Sequence, residues 1–253
     1  MPASEKSPSE TPANRAYNAI SDAIVRGELA AGARISEAAL TRRFQIGRGP
    51  LREALRRLEG RRLVVTKPNA GARVVSLSTR DMNELFEIRE VLEMRACQLA
   101  TERMLDCDID ALEALLDIHD RDPQSARAIS HAGGTPDFHS AVVLGSKSKQ
   151  LIDLLCGQLW DLLRIYRFKS SGEVGRIAAA IREHREIVRA MRERNAEHAA
   201  FLMGCHIREE RCHLLRLQGV TPLACELQLD NQTAAALRGR KKAPRTGSTV
   251  GGD

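Results

Sequence analysis

Along most of the chain the large apolar residues recur three or four positions apart, the pattern of helices that bury one face. Tyr17, Ile20 and Ile24 keep that spacing from Asn14 until Arg26-Gly27 interrupts it, which predicts a first helix. After the loop ELAAGARI, Ser36 has the chemistry of a helix cap for a second helix, with Glu37 in its first turn and Leu40 and Phe44 on its buried face. Gln45-Ile46-Gly47 then reads as a tight turn, and Pro50 is expected to open a third helix as its first residue. Leu51, Leu55 and Leu58 are the expected core stripe of that helix; Arg52 and Arg56 lie one turn apart on another face, with Arg48 just ahead of its start. The period changes once, where LVV and ARVV form short β-branched runs around KPNAG, the turn chemistry of a hairpin.

Beyond the hairpin only helical spacing appears. Ser78 followed by Asp81 is a capping signal for a helix reaching about Glu102, and its stripe Leu85, Leu92, Ala96, Leu99 includes Arg89. Further helices are expected at 108–119, 136–145, 148–168, 175–194 and 197–217. The predicted fold class is mainly α: an N-terminal winged helix-turn-helix domain with a small β-hairpin wing over 14–77, followed by an all-α helical bundle over 78–220. Residues 1–13 are expected to be a disordered arm, and 221–253 a largely disordered tail that is basic from 236.

Charge divides at the same place. Residues 14–77 hold 13 Lys/Arg against 5 Asp/Glu, whereas residues 78–235 hold 20 against 25, so a small basic domain precedes a larger acidic one. A basic third helix behind a tight turn suits the major groove of double-stranded DNA, with a Gly-tipped wing against the backbone. Nothing in the chain approaches a membrane-spanning apolar run or a signal peptide, so a cytoplasmic protein with no membrane partner is expected. The six cysteines never form CxxC and read as buried reduced thiols.

The acidic domain carries its own chemistry. A buried Arg89 needs a partner, either Glu93 one turn on or an anionic ligand. His184 shares a stripe with Ile181, Val188 and Met191; His206 shares one with Ala199 and Met203; His139 stands between Phe138 and Val142. A turn at Asn195-Ala196 makes the last two helices antiparallel, and 11 residues separate Asn195 from each of His184 and His206, which sets those rings side by side as imidazole metal ligands. His213 is two turns along from His206 and too far to share an ion. Glu183, next to His184, is expected to face elsewhere, and no HExxH pattern supplies a hydrolytic base.

The stretch GELAAGARISEAALTRRFQIGRGPLREALRRLEGRRLVVTKPNAGARV resembles the winged helix-turn-helix of the GntR family of bacterial transcription regulators. The resemblance implies DNA contacts at Arg48 and Arg52 and a wing tip at Gly71, to which Arg43 and Arg56 are added as basic neighbours. Gly47 and Ala38 stand where relatives often carry a Ser or Thr and an arginine, so fewer contacts are expected. DFHSAVV and EHREIVRAMRERNAEHAAFLMGCHI are similar to the FCD ligand-binding domain of the FadR-type branch, in which an aspartate and three histidines hold a divalent metal. His139, His184 and His206 match the histidines, whereas the aspartate position falls on Thr135. Asp137 points some 200° round the helix from His139 and is not expected to substitute, and Thr135-Pro136 reads as the helix start.

The expected protein is therefore a dimeric regulator that binds operator DNA and senses a small organic acid, with Arg89, Arg164 and Thr135 as effector-binding candidates. A zinc or nickel ion on the three histidines, completed by water or an effector carboxylate, is the expected cofactor. The competing readings are a metal-dependent hydrolase using the same histidines and a structural DNA-binding protein without effector.

Overall fold

The chain folds as three N-terminal helices with a hairpin and a bundle of longer helices, which a computed structural model describes over residues 11–67, 71–122, 137–170 and 174–220. Helix α1 (Pro12–Val25) begins two residues before Asn14, because the Thr11 side chain accepts the Asn14 N–H at 3.2 Å and Pro12 tolerates a first-turn position that needs no donor. Residues 12 and 13 thus belong to the helix, with Thr11 as its cap, rather than to the arm. Ser36 caps α2 (Glu37–Phe44) as expected, and Gln45 ends it in the left-handed region at φ 55°.

Helix α3 (Arg48–Gly60) starts at Arg48, with Gly47 as its cap, so Pro50 is the third helical residue and not the first. None of the first-turn N–H groups has an intrahelical acceptor, and a proline fits at any of these positions. Its buried line is Leu51, Ala54 and Leu58, with Leu55 half-buried beside it. Strands β1 (Val64–Lys67) and β2 (Gly71–Val74) pair antiparallel, Val64 opposite Val74 and Lys67 opposite Gly71.

In the bundle, Ser78 and Asp81 close a reciprocal capping box on α4 (Thr79–Arg103). It is followed by α5 (Asp106–Arg121) and α6 (Phe138–Gly145). The single helix expected over 148–168 is instead α7 (Lys149–Ile152), a π-helical turn (Asp153–Gln158) and α8 (Trp160–Ser170). The chain ends its described part with α9 (Val174–Arg192) and α10 (Ala196–Leu217), the latter capped by Asn195. Helix α10 packs along α4 more extensively than any other pair of helices.

Apolar burial forms one core inside the bundle, around Phe86, Leu112, Val188 and Met203, and another under the winged domain, around Ile20, Leu51 and Leu58. Leu162 and Ile165 of α8 belong to the second core, so this helix of the bundle also closes the winged half. Among the described residues Cys97 is a buried free thiol, Cys156 and Cys205 are half-buried and Cys107 is exposed, so burial of the thiols is less general than expected. Among the described residues no helix is long and apolar enough to cross a membrane.

Candidate functional site

On the winged domain, Arg43, Arg48, Arg52 and Arg56 are all exposed, with Arg48 in the first turn of α3 and Arg52 and Arg56 on successive turns. Two of them have acidic neighbours: Arg43 pairs with Glu28, and the Arg52 Nε donates to Glu37 Oε2 at 3.1 Å. Arg57 lies 4.4 Å over the Tyr17 ring and donates to Asn14, which ties α3 to α1 and removes it from the reading surface. Gly71 is exposed at φ +73°, a conformation that suits glycine, and opens β2. Pro68, Asn69 and Ala70 of the wing tip lie outside the described residues.

In the bundle, three helices bring His139 (α6), His184 (α9) and His206 (α10) together. The Nε2 atom of His206 lies 3.2 Å from that of His184 and 3.3 Å from that of His139, and one ligand atom from each ring falls within 4.8 Å of the others. Two nitrogens bound tetrahedrally to one zinc at about 2.0–2.1 Å would stand about 3.3–3.4 Å apart, so these two spacings are compatible with one shared ion. The outer nitrogens strengthen the fit. His139 Nδ1–H donates to Glu93 Oε2 at 2.6 Å and His206 Nδ1–H donates to Glu183 Oε2 at 2.6 Å, which fixes the tautomer and turns the Nε2 lone pairs inward. Burial pushes His139 down to about 4, against the opposing pull of Glu93, and holds His184 well below the usual histidine range, with His206 and His139 adding to the effect. Both rings are neutral at pH 7 and have lone pairs to offer. Glu183 does face away from His184, but it reaches the neighbouring helix, a role that a single-helix reading misses.

A cavity of about 120 Å³ opens beside the histidines, lined among others by His119, Phe138, Arg167, Arg176, Ile181 and Glu210. Arg176 makes a two-pronged contact with Glu183 at 2.7 and 2.8 Å, and Arg167 donates to Asp137 at 2.6 Å. Asp137 is the cap of α6, so the helix starts two residues after Pro136; one carboxylate oxygen accepts the Ser140 N–H and the other accepts from Arg167. Thr135 lies outside the described residues.

Arg89 is fully buried but does not line the cavity; it donates to Glu93 and to Glu210, each at 2.6 Å. Burial raises both carboxyls, yet Arg89 and its neighbours outweigh it, taking Glu210 down to about 2 and Glu93 well below the carboxylate range. Arg164 is also not at the cavity: it pairs with Asp22 of α1 at 2.6 Å. The cavity arginines that sequence reasoning missed are Arg167 and Arg176. Arg176 had a local signal, since Glu183 is two helical turns away on the same face.

Residues 12–74 match the family model described as bacterial regulatory proteins, gntR family, and residues 84–209 match that of the FCD domain. The chain is 30% identical over 207 residues to the HTH-type transcriptional regulator YdhC of Bacillus subtilis (strain 168), covering 78% of this chain and 88% of that protein. It is 28% identical over 211 residues to the HTH-type transcriptional repressor GlaR of Escherichia coli (strain K12), covering 76% and 90%. Among solved structures, E. coli McbR/YncC shares the fold with a TM-score of 0.67 at 19% identity, over 82% of this chain and 99% of that one. A transcriptional regulator GntR from Rhodococcus sp. RHA1 does so with 0.64 at 22%, over 80% and 97%.

Proposed function

Because the chain belongs to the GntR family of bacterial transcription regulators, in its FCD-containing, FadR-type branch, we propose that its operator affinity is set by a small organic acid bound beside a metal in the helical domain. The relatives are regulators and not enzymes, which sets the hydrolase reading aside. One observation carries the proposal: three buried imidazoles converge, the His206 Nε2 lying 3.2 Å from that of His184 and 3.3 Å from that of His139, next to a cavity with two arginines. His139, His184 and His206 hold zinc or nickel, which supplies a Lewis-acid centre with positions open to a carboxylate.

Charge supports the same reading. Glu93, Asp137, Glu183 and Glu210 stand against Arg89, Arg167 and Arg176, so the carboxylates and guanidiniums around the histidines sum to one negative charge. A divalent ion turns that balance positive by one, which a carboxylate then neutralises. Arg167 and Arg176 replace Arg89 and Arg164 as the arginines that face the acid, while Arg89 orients Glu93 and Glu210. On the DNA side, Arg48, Arg52, Arg56 and Arg43 contact the operator with Gly71 at the wing. The working unit is a cytoplasmic homodimer, and repression, stated for GlaR by its name, is its mode.

The test is elemental analysis of protein purified without chelator, followed by calorimetric titration with zinc and a thermal-shift screen of carboxylic acids. We expect about one metal ion per chain, lost in His184→Ala, and a carboxylate whose stabilisation disappears on chelation. Metal-free parent protein with no zinc uptake would overturn the metal reading. A carboxylate that stabilises His184→Ala as well as the parent would separate effector from metal.

A further inference from the structure

Arg164, expected in the cavity, sits at the junction of the two domains, and its surroundings there are built rather than incidental. Asp161 and Arg164 of α8 are 2% and 4% exposed, and Tyr17 and Ser21 of α1 are 5% and 0% exposed. The Tyr17 hydroxyl donates to Asp161, and Ser21 Oγ donates to the other oxygen of the same carboxylate at 3.2 Å. Arg164 donates to Ser21 Oγ at 3.2 Å through one nitrogen and to Asp22 Oδ1 at 2.6 Å through the other. Leu162 and Ile165 flank this network and pack into the winged core. A second touch point lies beside it: a Cβ at Gly157 in the π-turn would stand 3.6 Å from an Arg61 nitrogen, at the end of the recognition helix.

We propose that Asp161 and Arg164 are positioning residues that lock the DNA-binding domain in one pose against the helical domain, and so govern operator binding without touching DNA. An apolar contact alone tolerates sliding, whereas buried charged groups regain their lost hydration in one alignment and are left unpaired in others. The network is therefore a register device. Helix α8 also turns its next basic residue the other way, since Arg167 reaches Asp137 and lines the cavity. Resting on the effector reading above, this makes α8 the element through which cavity occupancy reaches α1.

The experiment is interdomain energy transfer in the full chain, with bio-orthogonal fluorophores at the exposed positions Arg26 and Glu102 and labelled chains diluted into unlabelled ones. Affinity is measured in parallel for a duplex that the parent protein selects from a random pool. The parent should give one narrow distance distribution. Arg164→Met should broaden it and weaken duplex binding roughly tenfold, the scale of a coupling between sites, while melting of the helical domain stays put. Should Arg164→Met fail to fold, Ser21→Ala with Asp22→Asn removes the partners from the other side with little change of shape. A merely structural role would lower stability without widening the distribution, so a narrow distribution in a folded variant, whatever its affinity, overturns the proposal. The selected duplex and the mutants require no effector, so failure of the metal or acid reading leaves this result interpretable.

Discussion

Arginine does opposite work in the two halves of this regulator. On the winged domain Arg52 is 67% exposed at its side chain and meets one partner, the half-exposed Glu37. In the bundle Arg89 is 0% exposed and holds two carboxylates. A solvated guanidinium in a weak surface pair keeps its charge available for phosphate or a guanine edge. A buried one has already used its charge inside the fold and can be removed only by leaving anions unpaired. Exposure and partner count, more than residue type, thus separate a reader from a strut, and the comparison can be broken from either side.

The largest effect is expected at the strut. Arg89→Met strands Glu210 in the core and leaves Glu93 with only His139 and the more distant Arg167, and removing one partner of a buried pair costs about 3–5 kcal/mol of stability. Chemical denaturation measures it, and adding Glu210→Gln should recover part of the loss. A loss below about 1 kcal/mol would show that the carboxylates find water or protons instead, and that Arg89 is no strut.

The matching change on the proposed reader is Arg52→Ala, for which we expect stability to hold within about 1 kcal/mol while operator affinity falls by about 1–3 kcal/mol. The salt dependence of binding should also flatten if Arg52 contacts phosphate, and discrimination between bases should relax if it contacts a guanine edge. Lost stability with unchanged affinity per folded chain would place Arg52 among the structural arginines and erase the contrast.

What the sequence made legible follows the same division between local and distant. The Ser36 and Ser78 caps and the hairpin lie within a few residues and were readable from spacing, whereas for Arg89 spacing offered Glu93 without choosing it over an anionic ligand. The His184–His206 approach was readable because one turn at Asn195 carries two arms of equal length. Glu210 meets Arg89 from 121 positions away, and no spacing announces that. Arg164 was placed at the effector and Arg167 left unnamed because their partners are distant too, Asp22 lying 142 positions from Arg164 and Asp137 30 from Arg167. The π-turn at Asp153–Gln158 breaks the helix expected over 148–168, and one extra residue in a helical turn shifts the following face by roughly 100°. Beyond the π-turn, Arg164 reaches α1 and Arg167 lines the cavity.

The smallest effect, and the finest test of the contrast, is at Glu37. Its carboxylate holds the Arg52 Nε at 3.1 Å with both side chains substantially exposed, so Glu37→Gln should change stability by no more than about 0.5 kcal/mol. Its consequence for DNA has a definite sign. Removing a negative charge beside the recognition helix lowers the repulsion from phosphate, so affinity for random duplex should rise, most clearly at low salt. Affinity for the selected duplex should rise less, because Arg52 loses the anchor that aims its two terminal nitrogens. The ratio of selected to random binding should therefore narrow, by less than Arg52→Ala narrows it. Competition binding at two salt concentrations reads both quantities. A ratio that stays constant while both affinities rise together would mean that Glu37 acts through charge alone and that Arg52 finds its place on the DNA without it.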